Sequence, residues 1–491
     1  MDVQWGKVID QSLCIGCHAC TTACKSENEV PLSVTRTYVK AAEVGTFPQA
    51  RRAFQVTRCN QCEDAPCVAA CPTAAMYRRP DGIVDFDKSA CIGCKACIAA
   101  CPYDAIFINP EDHSAEKCNF CAHRLDAGLE PACVVVCPTQ AIAVGDLTDP
   151  TSRVAAYVNR DVVGVRRPEK GTRPRLFYKG AHQATLDPMA ARRPDGDLYM
   201  WSEQPRTARE VPAGAAPASG TSSAAALLAY DVSHQAPWDW RVSLYTWTKG
   251  IASGAYLAML LLGAWALWPV VTPLLAGCFL VLTGLILIAD LEHPLRFPLL
   301  FLRPQWRSWL VRGAVIISLY GLGLAGQLAA GLLGVRSIPI SIAGPTAALA
   351  VLTAAYTGLL FAQARARDLW QNPLLPAHMV VQALVLGFGA CTLLGVPNAP
   401  LALAAAAAVH LLLVLCETAV AHPTAHAELA AGTMLRGRLA PFFWAGVGLA
   451  AVALAAPVAG PLTPIAAVAA LAAVLAYEHA FVQAGQSVPL A

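Results

Sequence analysis

The distribution of apolar and polar residues divides the chain near residue 240. Before that point, short apolar stretches alternate with charged and turn-forming residues, and beyond it long apolar runs follow one another with brief polar loops between them. A helix that crosses a bilayer needs about 20 predominantly apolar residues. Runs of this kind predict eight transmembrane helices, at about residues 243–268, 271–290, 310–333, 340–362, 376–396, 400–421, 438–458 and 461–483.

Charge follows the same division. The 491 residues include 36 lysines and arginines and 33 aspartates and glutamates, but only 16 of these charged residues lie beyond residue 242. A second soluble helical domain is therefore disfavoured, because soluble domains carry about a quarter charged residues. The net charge of +3 gives no indication of a nucleic-acid partner.

Cysteines are concentrated in the first part of the chain. Sixteen of the 19 fall between Cys14 and Cys137, in four groups of four. The groups are Cys14, Cys17, Cys20 and Cys24; Cys59, Cys62, Cys67 and Cys71; Cys91, Cys94, Cys97 and Cys101; and Cys118, Cys121, Cys133 and Cys137. The spacing C-x2-C-x2-C-x3-C, followed by proline in the third group, is typical of bacterial 4Fe–4S ferredoxins. Zinc sites and disulfide frameworks use other spacings, so sixteen thiolates predict four 4Fe–4S clusters.

The cysteines of different groups are expected to share clusters. In two-cluster ferredoxins the fourth cysteine of a run binds the cluster of the other run. This rule pairs the second group with the third, and the first group with the fourth. The predicted ligand sets, each named after its first member, are Cys59, Cys62, Cys67 and Cys101; Cys91, Cys94, Cys97 and Cys71; Cys14, Cys17, Cys20 and Cys137; and Cys118, Cys121, Cys133 and Cys24.

This cysteine arrangement resembles the four-cluster electron-transfer subunits of molybdopterin oxidoreductases, the dimethyl sulfoxide and polysulfide reductase beta-subunit type. The resemblance covers about residues 5–190 and extends into Gly171–Tyr178, which is similar to the GTKP-x-x-x-Y stretch of that family. It implies a catalytic partner that carries a molybdenum or tungsten bis-pterin cofactor. Some relatives dock a nickel–iron hydrogenase instead, and this alternative partner stays open.

A second resemblance concerns the loop after the second predicted span. Its matching residues are Asp290, Leu291, Pro294, Arg296, Phe297, Arg303, Pro304, Trp306, Ser308 and Gly313. They are similar to the loop of the polysulfide-reductase membrane anchors, also called NrfD-like proteins. This resemblance covers about residues 235–485 and implies eight helices and a quinone site near the iron–sulfur subunit, without haem.

The expected architecture therefore has three parts. An α+β ferredoxin-like head with four clusters covers residues 1–190, and a flexible linker covers residues 191–237, where Pro212–Ser223 is rich in Ala, Pro, Gly and Ser. An all-α bundle of eight transmembrane helices covers residues 238–491. A higher oligomer is left open.

The loops also indicate an orientation. Ten basic residues lie at the end of the bundle where the first span begins, and only Arg336 lies at the other end. The ten are Arg241, Lys249, Arg296, Arg303, Arg307, Arg312, Arg365, Arg367, Arg436 and Arg438. The positive-inside rule then places the head in the cytoplasm, on a bacterial inner membrane. We also expect no cleavable signal peptide at the N-terminus. The alternative is that some arginines serve docking or quinone binding rather than topology.

A few polar residues fall at membrane depth, where they are costly and usually functional. Lys249 follows Tyr245 by one helical turn in the first span, and Asp290 ends the second span, with His293 just beyond it. With Arg296 they are predicted to bind menaquinone or ubiquinone, because a quinone needs hydrogen-bond donors and a proton supply in an apolar slot. The alternatives are that Lys249 snorkels to the interface and that Asp290 caps its helix.

The predicted function is electron transfer between the catalytic partner and the quinone pool, together with membrane anchoring. The substrate half-reaction is assigned to the partner, and the quinone reaction to this chain. One alternative is a quinone-linked proton-translocating module, in which His410 and Glu417 of the sixth span would take part. Another is a passive anchor whose clusters serve a soluble acceptor. A haem between His378 and His410 is disfavoured, because no flanking pattern supports it.

Overall fold

A computed structural model describes residues 3–192, 226–265, 269–335 and 340–490. The chain forms two compact units. The head unit comprises Met1–Pro237, Ala364–Ala366 and Ser487–Ala491, and the bundle comprises Trp238–Gln363 and Arg367–Gln486. The Ala-, Pro-, Gly- and Ser-rich part of the predicted linker, and Arg336, lie outside the described residues.

The head unit is built from short strands and short helices. Its strands are β1 (Trp5–Asp10), β2 (Thr37–Val44), β3 (Arg51–Arg58), β4 (Met76–Arg78), β5 (Val84–Phe86), β6 (Ile106–Ile108), β7 (Ala115–Lys117), β8 (Ile142–Asp146), β9 (Val163–Gly164), β10 (Leu176–Lys179) and β11 (Ala226–Tyr230). Its helices are α1 (Ala19–Glu27), α2 (Pro66–Ala70), α3 (Ala96–Ala100), α4 (Ala122–Asp126), α5 (Ala132–Val135), α6 (Arg153–Arg160) and α7 (Gln183–Leu186). This mixture agrees with the expected α+β ferredoxin-like head.

Two sheets and two hairpins organise these strands. One sheet has the order β8-β1-β10-β9, with β1 parallel to β10 and antiparallel to β8. Its central strand buries Val8 and Ile9. The second sheet has the order β11-β2-β3, and β4-β5 and β6-β7 are separate antiparallel hairpins. The cysteine groups follow or flank these strands, so the sheets hold the thiol-bearing loops in place.

The cysteine loops turn sharply just before their helices begin. His18 precedes α1 and Lys95 precedes α3, and both adopt left-handed backbone angles, with φ of 60° and 61°. Gly16, two residues before His18, has φ of 69°, and a Cβ atom there would lie 2.3 Å from the ring of Phe54. Glycine is required at this position because a side chain would be both strained and obstructed.

The last part of the predicted linker differs from the expectation of a flexible connector. Residues Ala226–Tyr230 form β11, which pairs antiparallel with β2 from Ala226 opposite Val44 to Tyr230 opposite Ala41. The sequence ALLAY has few strong strand formers, so the edge that β2 offers supplies the missing preference. The head unit therefore extends to Pro237 in the structure.

The second unit is entirely helical among its described residues. Its helices are α8 (Trp240–Leu261), α9 (Val271–Ala289), α10 (Leu299–Leu302), α11 (Trp309–Leu332), α12 (Ile340–Gln363), α13 (Leu375–Leu393), α14 (Ala399–Ala419), α15 (Ala425–Leu435), α16 (Ala440–Ala453) and α17 (Thr463–Gly485). Short 3-10 turns lie at Pro294–Arg296, Asp368–Gln371 and Gly460–Leu462.

Six described helices are long and apolar enough to cross a membrane. These spans are Val271–Ala289, Trp309–Leu332, Ser341–Gln363, Leu375–Leu393, Ala399–Ala419 and Gly460–Gly485. Helix α8 has 22 residues but a more polar composition, because it carries threonines, serines and Lys249. Helix α16 is apolar but only 14 residues long. The protein is thus a multi-pass membrane protein, and the count of eight spans stays a prediction.

Helices α8 and α13 approach each other backbone to backbone. A Cβ atom on Gly254 would lie 1.7 Å from the carbonyl oxygen of Ala383, and one on Gly387 would lie 2.0 Å from the carbonyl oxygen of Gly254. Small residues permit such close packing of membrane helices. This contact fixes the relative position of α8 and α13, the two helices that carry Lys249 and His378.

We expect Gly254→Ala to destabilise the bundle. The added methyl group would collide with the α13 backbone, and overpacking of this kind costs about 1–3 kcal/mol. Thermal unfolding of the purified protein in detergent should show a lower midpoint. Gly284→Ala on α9 is the matched control, because a Cβ atom there meets nothing within 4 Å. Equal midpoints for the two variants would contradict the close approach.

Candidate electron-transfer and quinone sites

The sixteen grouped cysteines are free thiols in the structure, and twelve of them are buried. Cys17 is exposed, and Cys14, Cys94 and Cys137 are half-buried. Among the described residues, no group of three or more histidine, cysteine or acidic side chains is placed to hold a single metal ion.

The thiols of the Cys91 set surround a common space. One pocket is lined by Cys71, Cys91, Cys94 and Cys97. The backbone N–H groups of Met76 and Ala115 point at Cys71 and Cys91, each with a nitrogen–sulfur distance of 3.4 Å. Four thiols facing one space, with N–H donors at the sulfurs, fit a 4Fe–4S cluster. The ligand assignment itself stays a prediction.

Two cysteines of the Cys118 set share one amide donor. The Asn28 side-chain nitrogen lies 3.8 Å from Cys24 Sγ and 3.7 Å from Cys121 Sγ. Arg36 holds this amide by donating from Nη1 to Asn28 Oδ1 at 2.9 Å, and it pairs with Glu116 at 2.6 Å. The amide is therefore fixed where it can donate to both sulfurs.

A third cysteine of the same set, Cys133, lies between two buried cations. Arg58 Nη1 donates to Cys133 Sγ at 2.9 Å, and Lys7 Nζ lies 3.8 Å from the same sulfur. Burial alone would raise the pKa of the Cys133 thiol, but Arg58 and Lys7 outweigh that effect and lower it to about 7. Burial instead dominates at Cys20 and Cys24 and raises their pKa values to about 11 and about 12.

Sequence reasoning did not find Asn28, Arg58 or Lys7. Arg58 directly precedes Cys59, and Lys7 lies in the buried stretch that forms β1. A basic residue within a short apolar stretch was the available signal, because an interior cation requires an anionic partner. The partner comes from elsewhere in the chain, so the sequence did not name it.

The predicted quinone residues fall at two depths in the bundle. Tyr245 and Lys249 are buried on α8, and the Lys249 ammonium donates to Thr357 Oγ1 and lies 4.6 Å from the centre of the Tyr356 ring. Lys249 is 2% exposed and about 14 Å along α8 from Trp240. The alternative that Lys249 snorkels to the interface is therefore wrong, because its side chain points into the bundle.

Asp290, His293 and Arg296 lie at the end of α9 and in the loop after it. Asp290 is buried at the C-cap of α9, and its Oδ1 lies 3.9 Å from Arg241 Nη1 at the start of α8. His293 and Arg296 flank the short turn that follows and are half-buried. These three residues lie near the end of the bundle where α8 begins, called here the Trp240 end.

Glu478 is a buried carboxyl group that the sequence analysis did not single out. It lies on α17 and is 6% exposed, and its Oε2 accepts a hydrogen bond from Thr246 Oγ1 at 2.5 Å. Glu478, Lys249 and Gln382 line one small cavity, together with Thr246. The only acidic residue in an Ala- and Val-rich helix was the signal that could have found it.

A second buried polar cluster joins α13, α14 and α17. His378 Nε2 lies 2.9 Å from His410 Nδ1, and His378 Nδ1 lies 3.1 Å from Glu417 Oε1. Tyr477 donates to Glu417 Oε2 at 3.0 Å. Tyr477 directly precedes Glu478, so α17 connects this cluster to the Lys249 cavity. The structure thus brings the predicted pair His410 and Glu417 together through His378.

The fold and the thiol groups define a membrane-anchored iron–sulfur electron-transfer protein. The protein belongs to the family "Polysulphide reductase, NrfD", whose model matches residues 230–489, and a "4Fe-4S dicluster domain" model matches residues 50–147. Both family resemblances are confirmed.

Curated proteins that are similar to this chain include the B or iron–sulfur subunits of several reductases. The B subunit of tetrathionate reductase from Salmonella typhimurium is 42% identical over 208 residues, which cover 41% of this chain and 80% of the relative. Its polysulfide reductase counterpart from Wolinella succinogenes is 44% identical over 180 residues, covering 36% and 94%. The arsenate respiratory reductase iron-sulfur subunit ArrB of a Shewanella species is 36% identical over 221 residues, covering 35% and 94%. This chain therefore joins an electron-transfer head to its membrane anchor.

Proposed function

We propose that the chain passes electrons between a catalytic subunit with a molybdenum or tungsten bis-pterin cofactor and the quinone pool, through four 4Fe–4S clusters. The single observation that carries this proposal is the fusion of sixteen free thiols, in four groups, to an NrfD membrane region. The relatives are named as subunits of tetrathionate, polysulfide and arsenate reductases. All three relatives are subunits of reductases, and this supports a separate catalytic partner, which supplies the substrate chemistry.

The chain's own residues define the proposed path. Four sets of four cysteines would bind the clusters, which supply one-electron transfer when bound. Backbone N–H groups at Cys71 and Cys91, and the Asn28 amide at Cys24, would donate to the ligand sulfurs. We further propose eight transmembrane helices on a bacterial inner membrane, with the head in the cytoplasm, because of the basic residues at the Trp240 end.

Quinone is proposed to react at the Trp240 end of the bundle. Asp290 lies there beside the start of α8, and His293 follows in the loop after α9. Quinone reduction consumes two protons with its two electrons, so titratable side chains near the reacting oxygens are needed. Asp290 and His293 would supply those groups.

We expect Asp290→Asn together with His293→Ala to lower quinone-linked turnover by at least about tenfold, because acid–base groups typically contribute 10²–10⁴-fold. Turnover would be measured with a quinol analogue in membranes that contain the complete complex, and cluster spectra would be recorded in parallel. Glu428→Gln is the matched control, because Glu428 is an exposed carboxylate in the first turn of α15, away from the loop after α9. Full turnover in the double variant, with unchanged cluster spectra, would favour the passive anchor instead.

A second candidate function is proton movement driven by the quinone reaction. The observation that favours it is the presence of several groups of polar side chains inside the helical bundle. They include the Glu417 cluster and the Lys249 cavity, and Gln327 donates to Tyr256 and Thr346 at 2.9 and 3.0 Å, farther along α8 from the Trp240 end. Proton uptake by proteoliposomes during turnover, lost in Glu417→Gln, would support this function.

A further inference from the structure

We infer that Arg58 and Lys7 make the cluster of the Cys118 set the one with the highest reduction potential of the four. Electrons that enter the head would then reside at this cluster. The inference rests on the proposed function in one respect, namely that the four sets of cysteines hold 4Fe–4S clusters. It concerns which cluster is easiest to reduce, and nothing in the family resemblance assigns that property.

The first observation is the position of Arg58. It ends β3, is 1% exposed, and donates from Nη1 to Cys133 Sγ at 2.9 Å. The guanidinium keeps its positive charge at all physiological pH values. A permanent cation thus touches a predicted cluster ligand in the interior of the head.

The second observation is a further cation at the same sulfur. Lys7, in β1, is fully buried, with Nζ 3.8 Å from Cys133 Sγ and 4.2 Å from the centre of the Phe120 ring. The two basic residues come from different strands and lie 51 positions apart in the sequence. Their convergence on one sulfur is therefore a property of the folded head.

The third observation is the missing counter-charge. Within the described part of the chain, neither Arg58 nor Lys7 forms a salt bridge with a carboxylate. Arg36, by contrast, is buried nearby with Glu116 as its partner at 2.6 Å. Two interior cations without carboxylates require another anion, and a cluster with four thiolate ligands would provide it.

The physical consequence is a higher potential. Reduction adds one electron to a cluster and therefore one negative charge. Fixed cations stabilise that extra charge, and burial keeps salt from screening the attraction. Hydrogen bonds to cluster sulfurs act in the same direction, and the Asn28 amide near Cys24 and Cys121 adds such a donor. All three groups surround the same ligand set.

The test is a redox titration of the full-length protein, followed by electron paramagnetic resonance of its clusters. The signal that Cys133→Ser alters identifies the cluster of the Cys118 set. In the unchanged protein that signal should have the highest midpoint. Arg58→Gln should shift it downward by at least tenfold in the one-electron equilibrium constant, which corresponds to about 59 mV. Lys7→Met should shift the same signal, and Arg58→Lys should shift it less.

Arg52→Gln is the matched control. Arg52 lies on the same strand six residues away, but it is exposed and paired with Glu43 at 2.5 Å. It should leave all four midpoints unchanged. The inference is overturned if another signal has the highest midpoint, or if Lys7→Met leaves the Cys133-dependent signal in place. Lys7→Met keeps the test decisive if Arg58→Gln prevents assembly.

Failure of the proposed function would look different. Iron analysis of the unchanged protein would then find fewer than the about 16 iron atoms per chain that four 4Fe–4S clusters need. A full complement of iron with unshifted midpoints would instead overturn only the role of Arg58 and Lys7.

Discussion

Replacing Cys71 with serine is expected to alter the cluster of Cys91, Cys94 and Cys97, and not the cluster of its sequence neighbours Cys62 and Cys67. The reason is geometric, since Cys71 lines the same cavity as the three later cysteines. The full-length protein, reduced and examined by electron paramagnetic resonance, should lose or change one of its four signals. Iron would fall from about 16 to about 12 atoms per chain if that cluster is lost.

Two further variants make this test specific. Cys97→Ser should change the same signal as Cys71→Ser, whereas Cys67→Ser should change a different one. Cys391→Ser is the control, because Cys391 is a buried thiol of α13 outside the four groups. If Cys71→Ser and Cys67→Ser changed the same signal, each group would hold its own cluster, and the predicted exchange of ligands between groups would be wrong.

Features encoded by spacing or by run length could be predicted from the sequence. The cysteine groups are set by spacings of a few residues, so their chemistry followed without knowledge of the fold. The apolar helices follow from composition over about 20 residues, and helix α9, Val271–Ala289, matches its predicted span almost residue for residue. Local patterns of this kind do not depend on distant partners.

Features that arise from long-range contacts could not be predicted. Arg58 and Cys133 are 75 residues apart, and Thr246 and Glu478 are 232 residues apart. Strand β11 has few strong strand formers and pairs with the edge that β2 offers. Lys249 was open to two interpretations, and the neighbouring helix α12 decides between them because Thr357 and the ring of Tyr356 receive its ammonium group.

Glu478→Gln is expected to lower quinone-linked turnover by about 100-fold or more, the range of general acid–base groups. If the quinone reaction drives proton movement through the bundle, protons must cross an apolar region, where only side chains or enclosed water can carry them. Glu478 lines the Lys249 cavity, and on α17 it directly follows Tyr477, which belongs to the Glu417 cluster. Removal of its acid group should interrupt proton transfer while the cluster spectra stay unchanged.

Turnover with a quinol analogue and the four cluster signals would be measured on the same membranes. Glu428→Gln is the matched control, because Glu428 is an exposed carboxylate in the first turn of α15. Unchanged turnover in Glu478→Gln, at normal cluster content, would exclude the cavity from the proton path. Loss of the cluster signals in that variant would instead show that Glu478 serves assembly of the protein.

A double variant decides whether Glu478 and Lys249 act as one unit. Lys249→Met removes the other titratable group of the cavity, and it should also slow turnover. If a proton passes between the two groups, either single change interrupts the same step, so the double variant should be about as slow as the slower single variant. If the fold-reductions in turnover of the two single variants multiply in the double variant, the two residues have separate roles. Lys249 would then act through its contacts with Thr357 and Tyr356 on α12.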